Sequence, residues 1–299
     1  MESAAAIGLR FVLYADLLIL FGVAAWPFHA RPAAQLAPRR GVVIALALVG
    51  LVVSAAALWM TVAAMTGAGL LDLDRGTLSF VLRETPIGTA SAVRAVALLL
   101  VATLVLMGRG RLVVVVSAAV AVATLAWSGH AAATEGTAGT LHRAADIAHL
   151  LAAGVWLGAL VILAACVFRP LRRERERAMA VAALGGFART GSVVVATMIA
   201  SGAVNLVSIL GIAGLPAMPQ TTYGRLLLAK LALFGAMLGL AAINRWRLTP
   251  ALAAAGSDAG AWPAERRIRL SIMLETTAAI LILVLVAWLG TLDPGEFLR

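Results

Sequence analysis

Apolar residues in this chain come in long blocks, separated by short stretches that carry most of the charge. Eight blocks are long and apolar enough to cross a bilayer as helices: about 7–27, 41–66, 88–107, 112–128, 143–167, 189–212, 223–244 and 270–291. A spanning helix needs about 20 such residues, and the block at 112–128 is the shortest of the eight. The longest intervening stretches run to about 20–25 residues, too short for a separate soluble domain. The pattern predicts an all-α, polytopic transmembrane helical bundle of about eight spans, with residues 1–299 forming a single integral membrane domain.

Composition agrees with the pattern. Hydrophobic residues make up 62% and charged residues 13%, with a mean hydropathy of +0.99. Soluble domains carry about 25% charge. The net charge of +10 does not indicate nucleic-acid binding, because the basic residues fall in short runs between apolar blocks, as topology signals do. They gather in the first, third, fifth and seventh loops, at Arg31–Arg40, Arg109–Arg111, Arg169–Arg177 and Arg245–Arg269. Positive charge marks the cytoplasmic side, so both termini and the even loops are expected outside. The first span, with its basic loop behind it, is not expected to be a cleaved signal peptide. A single cysteine, Cys166, excludes an internal disulfide and any multi-thiolate metal site within one chain.

Three of the four histidines lie in one stretch, SGHAAATEGTAGTLHRAADIAH, from Ser128 to His149. On this reading His130 ends the fourth span, residues 131–141 form an outer loop, and His142 opens the fifth. His142, Asp146 and His149 stand at i, i+4 and i+7, which places them on one helix face. A regular helix separates the two histidines by about 10.5 Å along its axis. That is long for one ion, so a metal site is expected to combine His142 or His149 with His130 or another helix. Asp146 is positioned to hold a ring N–H of His149. Met60 and Met65 lie near the outer end of the second span, and Met218 lies in an outer loop. Thioethers together with imidazoles suit copper, Cu(I) in particular. His29 falls in a basic loop and is not grouped with the others.

Ionisable and amide side chains recur inside the spans: Asp16, Arg94, Asn205, Lys230 and Glu275. Charge at such depth costs at least about 2.5–3.5 kcal/mol on insertion scales unless it is paired or wet. Mixed signs allow Asp146 or Asp16 to pair with Arg94 or Lys230, either locking the bundle or lining a polar path inward. Gly154-x-x-x-Gly158 and Gly235-x-x-x-Gly239 permit close helix contact. No nucleotide-binding or serine-hydrolase signature occurs, and no enzyme activity is expected.

The order SGHAAA, LHRAADIAHLLAAGVWLGAL, SGAVNLVSILG and TTYGRLLLAKLALFGAMLGLAAINRWRLTP resembles the copper resistance protein D (CopD) family. The likeness covers about 127–291, while the first three spans agree only in number and hydrophobicity. The resemblance implies a bacterial inner-membrane protein that moves copper from periplasm toward cytoplasm, often beside a small periplasmic copper-binding partner, CopC. It implies His130, His142 and His149 as copper ligands, with Trp156, Asn205, Tyr223 and Lys230 as motif positions. A fused soluble copper domain and a Met-rich tail are not expected.

Three functional readings follow. In the first, copper is captured at the outer histidines and passed inward; the candidate ligands are His130, His142, His149, Met60 and Met65, and the lining residues are Asp146, Asp16, Arg94, Asn205, Tyr223 and Lys230. In the second, a b-type haem is held for electron transfer by histidines of neighbouring helices, such as His130 and His149. Against this, a stacked pair of haems needs four membrane histidines. In the third, the histidines satisfy one another in a scaffold.

Overall fold

A computed structural model describes residues 4–67, 75–128, 136–169, 174–254 and 261–292. Among these the regular structure is helical throughout, with no strand. The helices are α1 (Ala4–His29), α2 (Arg40–Thr66), α3 (Arg75–Glu84), α4 (Pro86–Met107), α5 (Arg111–Ala123), α6 (Gly136–Val167), α7 (Glu174–Gly214), α8 (Thr222–Ile243), α9 (Thr249–Ala254) and α10 (Ala261–Leu289). Seven are long and apolar enough to cross a membrane, and α5 with its 3-10 extension to Trp127 is a shorter apolar helix. The thirteen residues of α5 rise only about 20 Å. Thr124–Trp127 continues it as a 3-10 turn, which extends its reach toward the ~30 Å of a bilayer core.

Helix α1 lies at the centre. It packs against α2, α5, α6 and α10; α2 packs on α4 and α4 on α5; α6 packs on α7, and α10 packs on α6 and α8. The sequence accounts for this position, because α1 is mostly apolar: Leu13, Leu17, Leu18, Leu20, Phe21 and Trp26 are all buried. Large apolar side chains of the outer helices point outward instead, among them Val52, Val96, Leu106, Val193 and Ile212, as lipid-facing surfaces require.

The α1–α6 crossing depends on glycine. A Cβ at Gly22 would lie 1.9 Å from the Gly154 carbonyl oxygen and 2.8 Å from the Gly158 Cα, and one at Gly158 would lie 2.3 Å from the Gly22 carbonyl carbon. The Gly154-x-x-x-Gly158 pair thus receives Gly22 backbone to backbone. Gly235 and Gly239 on α8 meet nothing within 4 Å, so that pair joins no helices among the described residues.

Local signals set the helix ends. Thr85 and Thr221 each accept a hydrogen bond from the backbone N–H three residues on, at 3.1 and 3.0 Å, and so cap α4 and α8. Trp26 Nε1 donates to the Ala33 carbonyl at 3.0 Å and folds the turn after α1 back onto the bundle.

Some boundaries differ from the sequence expectation. Helix α6 begins at Gly136, so residues 136–141 are helical rather than loop and His142 lies two turns inside the helix. Helix α7 begins at Glu174, about four turns before the expected span. The stretch after α2 contains α3, whose Arg, Glu and Ser content hides it from a search for spans.

Candidate functional site

Helices α6, α7 and α8 bring together one set of the predicted residues. His149 on α6 places Nδ1 3.1 Å from the Ser201 hydroxyl on α7. Ser201 donates its own hydrogen to the Thr197 carbonyl at 2.6 Å. With Ser201 donating to Thr197, the serine oxygen is the acceptor when His149 carries its proton on Nδ1, and the Met198 backbone also hydrogen-bonds the ring; in that tautomer Nε2 keeps a lone pair, the form that binds metals. One turn earlier on α6, Asn205 Nδ2 of α7 approaches Asp146 Oδ1 at 3.4 Å. Lys230 on α8 acts electrostatically on both Asp146 and His149. The expected Asp146–His149 contact is replaced by two cross-helix contacts, because residues of α7 at i and i+4, Ser201 and Asn205, present polar groups to that face of α6.

The remaining predicted residues are placed as follows. His142 is buried, with 2% of its surface exposed, on the same face of α6. His130 lies outside the described residues. Arg94 is buried in α4 and donates from Nε to Thr124 Oγ1 at 2.7 Å, in the turn that prolongs α5. Asp16 is buried on α1 and turns toward α2, where a Cβ on Gly50 would come within 2.7 Å of its Oδ2; that oxygen has no hydrogen-bond partner among the described residues. No ion pair within 4.0 Å joins Asp16, Arg94, Asp146 or Lys230 among the described residues. The charges inside the bundle are thus spread over two groups, one between α1, α2, α4 and α5 and one among α6, α7 and α8, rather than closed into pairs.

Tyr223 and Met218 are buried together with Leu210 and Leu289 at the start of α8. Met60 is half-buried on α2 and Met65 is 60% exposed. Helix α2 packs on α1, α3 and α4, so neither thioether shares the α6–α7–α8 face. His29 lies at the other end of α1, its ring 5.4 Å from that of Trp26 and 6.2 Å from that of Phe187. Among the described residues, no three His, Cys, Asp or Glu side chains gather closely enough to hold a metal.

Two participants carry no sequence signal of their own. Ser201 reads as a small residue of a span. Tyr14 is buried on α1, receives a hydrogen bond from Arg10, and lies within the electrostatic reach of both Asp146 and Arg94. It stands between the two groups of charges. Its position could have been inferred only from the α1–α6 crossing.

At the opposite end of the C-terminal helices, Asn244 donates from Nδ2 to Glu275 Oε1. Both are buried. Between this pair and His149 the helices meet through apolar groups: Trp156 and Leu160 of α6, Met198 of α7, Phe234 and Met237 of α8, and Ala278 and Ala279 of α10.

Comparison with known proteins covers the chain in two parts. A family model described as "Copper resistance protein D-like, N-terminal domain" matches residues 1–140, and one described as "Copper resistance protein D" matches residues 181–289. Among curated relatives, Copper resistance protein D of Pseudomonas syringae pv. tomato is 39% identical over 306 residues, covering 98% of each chain. Inner membrane protein YebZ of Escherichia coli (strain K12) is 29% identical over 294 residues, covering 96% of this chain and 98% of the relative. No solved structure matches. The names of these relatives do not refer to haem.

Proposed function

The chain belongs to the copper resistance protein D family, and on that premise we propose that it captures copper at the periplasmic face of the bacterial inner membrane and passes it toward the cytoplasm. The observation that carries this reading is the His149–Ser201 contact, 3.1 Å across α6 and α7, which leaves an imidazole nitrogen free to bind a metal. In this reading His130 and His142 receive the ion and His149 takes it next. Asp146, Asn205 and Lys230 then set the charge and hydrogen bonding beneath. Tyr223 supports the start of α8, and Asp16 and Arg94 balance charge on the far side of α1. Met60 and Met65, on α2, stand as accessory thioethers at the same membrane face.

Both termini are periplasmic in this arrangement, with the arginine-rich loops in the cytoplasm. A small copper-binding protein of the CopC kind delivers the ion from the periplasm. The ligands are neutral imidazoles, so binding weakens as the pH falls and they protonate.

The test is the copper content of purified protein, wild type against the triple variant His130→Ala, His142→Ala, His149→Ala. The variant is expected to lose its tightly held copper. Equal, tight binding by both proteins would overturn the proposal.

A further inference from the structure

The buried pair at the other end of the C-terminal helices carries chemistry that copper capture does not use. Helix α8 ends at Ile243 and opens into a π turn, Asn244–Leu248. Such wide turns are rare and concentrate at functional positions. This one turns Asn244 inward, 7% exposed, against Glu275 of α10, 3% exposed. The carboxyl lies between apolar layers. On one side are Ile268 and Ile272, packed with Trp26, Ile162 and Leu163; on the other are Ala278 and Ala279, packed with Trp156 and Met237.

Among the described residues no cation lies within 4.0 Å of this carboxyl. Arg247 of the π turn and Arg266 and Arg267 of α10 are exposed, and two further basic groups are engaged elsewhere. Arg245, from the π turn, donates to the Ala188 carbonyl at 3.0 Å and to Ser192 Oγ at 2.6 Å on α7. Arg269 of α10 donates to the Val167 carbonyl at 2.7 Å and pairs with Glu265 at 3.3 Å. The other titratable groups facing this end of α10 are His29 of α1, whose ring packs on Trp26, and Cys166 of α6, which lies in the apolar layer with Ile268 and Ile272. Thr276, beside Glu275, donates back to the Ile272 carbonyl at 2.7 Å.

The hydrogen bonding of the pair is incomplete in a specific way. Asn244 Nδ2 donates to Glu275 Oε1, while Asn244 Oδ1 is buried with no hydrogen-bond partner among the described residues. A buried acceptor without a donor is costly. A primary amide and a neutral carboxylic acid complete each other: the amide N–H donates to the acid C=O, and the acid O–H donates to the amide C=O. A proton on Glu275 Oε2 supplies the missing donor. Turning the amide by 180° would place its oxygen against the carboxyl, and that contact also requires a proton on Glu275. Ser271, one turn before Glu275 on the same face of α10, is 4% exposed and has a second unpartnered oxygen, Oγ.

We infer that Glu275, paired with Asn244 and followed by Ser271, is a proton-binding site in the C-terminal helices that loads and releases a proton through the π-turn end. The balance is simple. Glu275 Oε2–H breaks, the proton passes to water by way of the Ser271 side, and the carboxylate left behind retains the Asn244 N–H bond. On the copper reading, a cation entering the same helices from the His149 end drives this proton off, so copper and proton occupy the unit in alternation.

The test is infrared difference spectroscopy of the detergent-solubilised full-length protein, titrated with pH in the absence of copper. A carboxylic-acid C=O band is expected to disappear as the pH rises, to be absent in Glu275→Gln, and to move in frequency in Asn244→Ala, where the amide partner is gone. The Asn244→Ala arm stands by itself should Glu275→Gln fail to fold. Spectra of wild type and Glu275→Gln with the same acid band would overturn the assignment, as would a Glu275 band that never titrates. Carboxylate bands that shift on adding sodium at fixed pH would also overturn it, in favour of a metal-cation site. Adding Ag(I) as a Cu(I) stand-in then tests the alternation separately: loss of the Glu275 acid band is expected, and an unchanged band would overturn the alternation alone.

Discussion

His149 and Ser201 lie 3.1 Å apart across the α6–α7 interface, and the serine passes its own hydrogen to the Thr197 carbonyl. The relay has a direction. A backbone carbonyl that can only accept fixes the serine as donor, and the serine oxygen then fixes which imidazole nitrogen carries the proton. A helix hydrogen bond thus sets the metal-binding state of a side chain on a neighbouring helix.

Removing that relay should weaken the metal without removing the ligand. Ser201→Ala removes one of the two hydrogen-bond partners of the His149 ring and leaves it the Met198 backbone alone. Copper affinity is expected to fall about 10-fold, the lower end for lost partners of ligating histidines, while Ser201→Thr keeps most of it. Competition against a chelator of known affinity measures both. An unchanged affinity in Ser201→Ala would separate the serine from ligand positioning.

The glycine crossing makes a stability prediction with an internal control. Gly22→Ala forces a methyl to within 1.9 Å of the Gly154 carbonyl oxygen, where only backbone stands in the way. It is expected to cost about 1–3 kcal/mol, as overpacked sites do, seen as a lower Tm in detergent. Gly235→Ala meets nothing within 4 Å and should leave Tm where it was. A drop of equal size in both would show that α8 has a contact outside this chain.

Orientation can be read with single cysteines. In a Cys166→Ala background, Ser79→Cys on α3 and Arg247→Cys in the π turn, both exposed, report opposite membrane faces on the proposed topology. A membrane-impermeant maleimide added to intact spheroplasts should label Ser79→Cys and spare Arg247→Cys. The reverse pattern would place the histidines of α6 on the cytoplasmic side and end the capture scheme.

The helical bundle was legible because hydropathy is a sum over neighbouring residues. Blocks such as 41–66 and 88–107 coincide with α2 and α4 to within a residue or two. The misjudged ends are those where helix continues past the apolar block. Residues 136–141 are helical yet mostly Gly, Ala and Thr, and 174–188 are helical yet begin with four charged residues, so a rule tuned to lipid contact passes over them. The eight apolar segments were therefore found, while α3 and the polar extensions were not.

Chemical type was legible and partnership was not. From the chain alone, His142, Asp146 and His149 share one helix face, the arginines cluster in alternate loops, and the order of motifs belongs to one family. These follow from helical period and composition, both of which are local along the chain. Which groups meet is set by how helices distant in sequence cross: Ser201 and Asn205 against α6, Asp16 against Gly50, Arg94 with Thr124, and Asn244 with Glu275. A bundle whose helices are apolar nearly all round leaves rotation about each axis to packing, and in α1 and α6 that packing is decided where Gly22 meets Gly154 and Gly158. No residue's own character contains that angle, so the partners of its buried polar groups appear only once the helices are assembled.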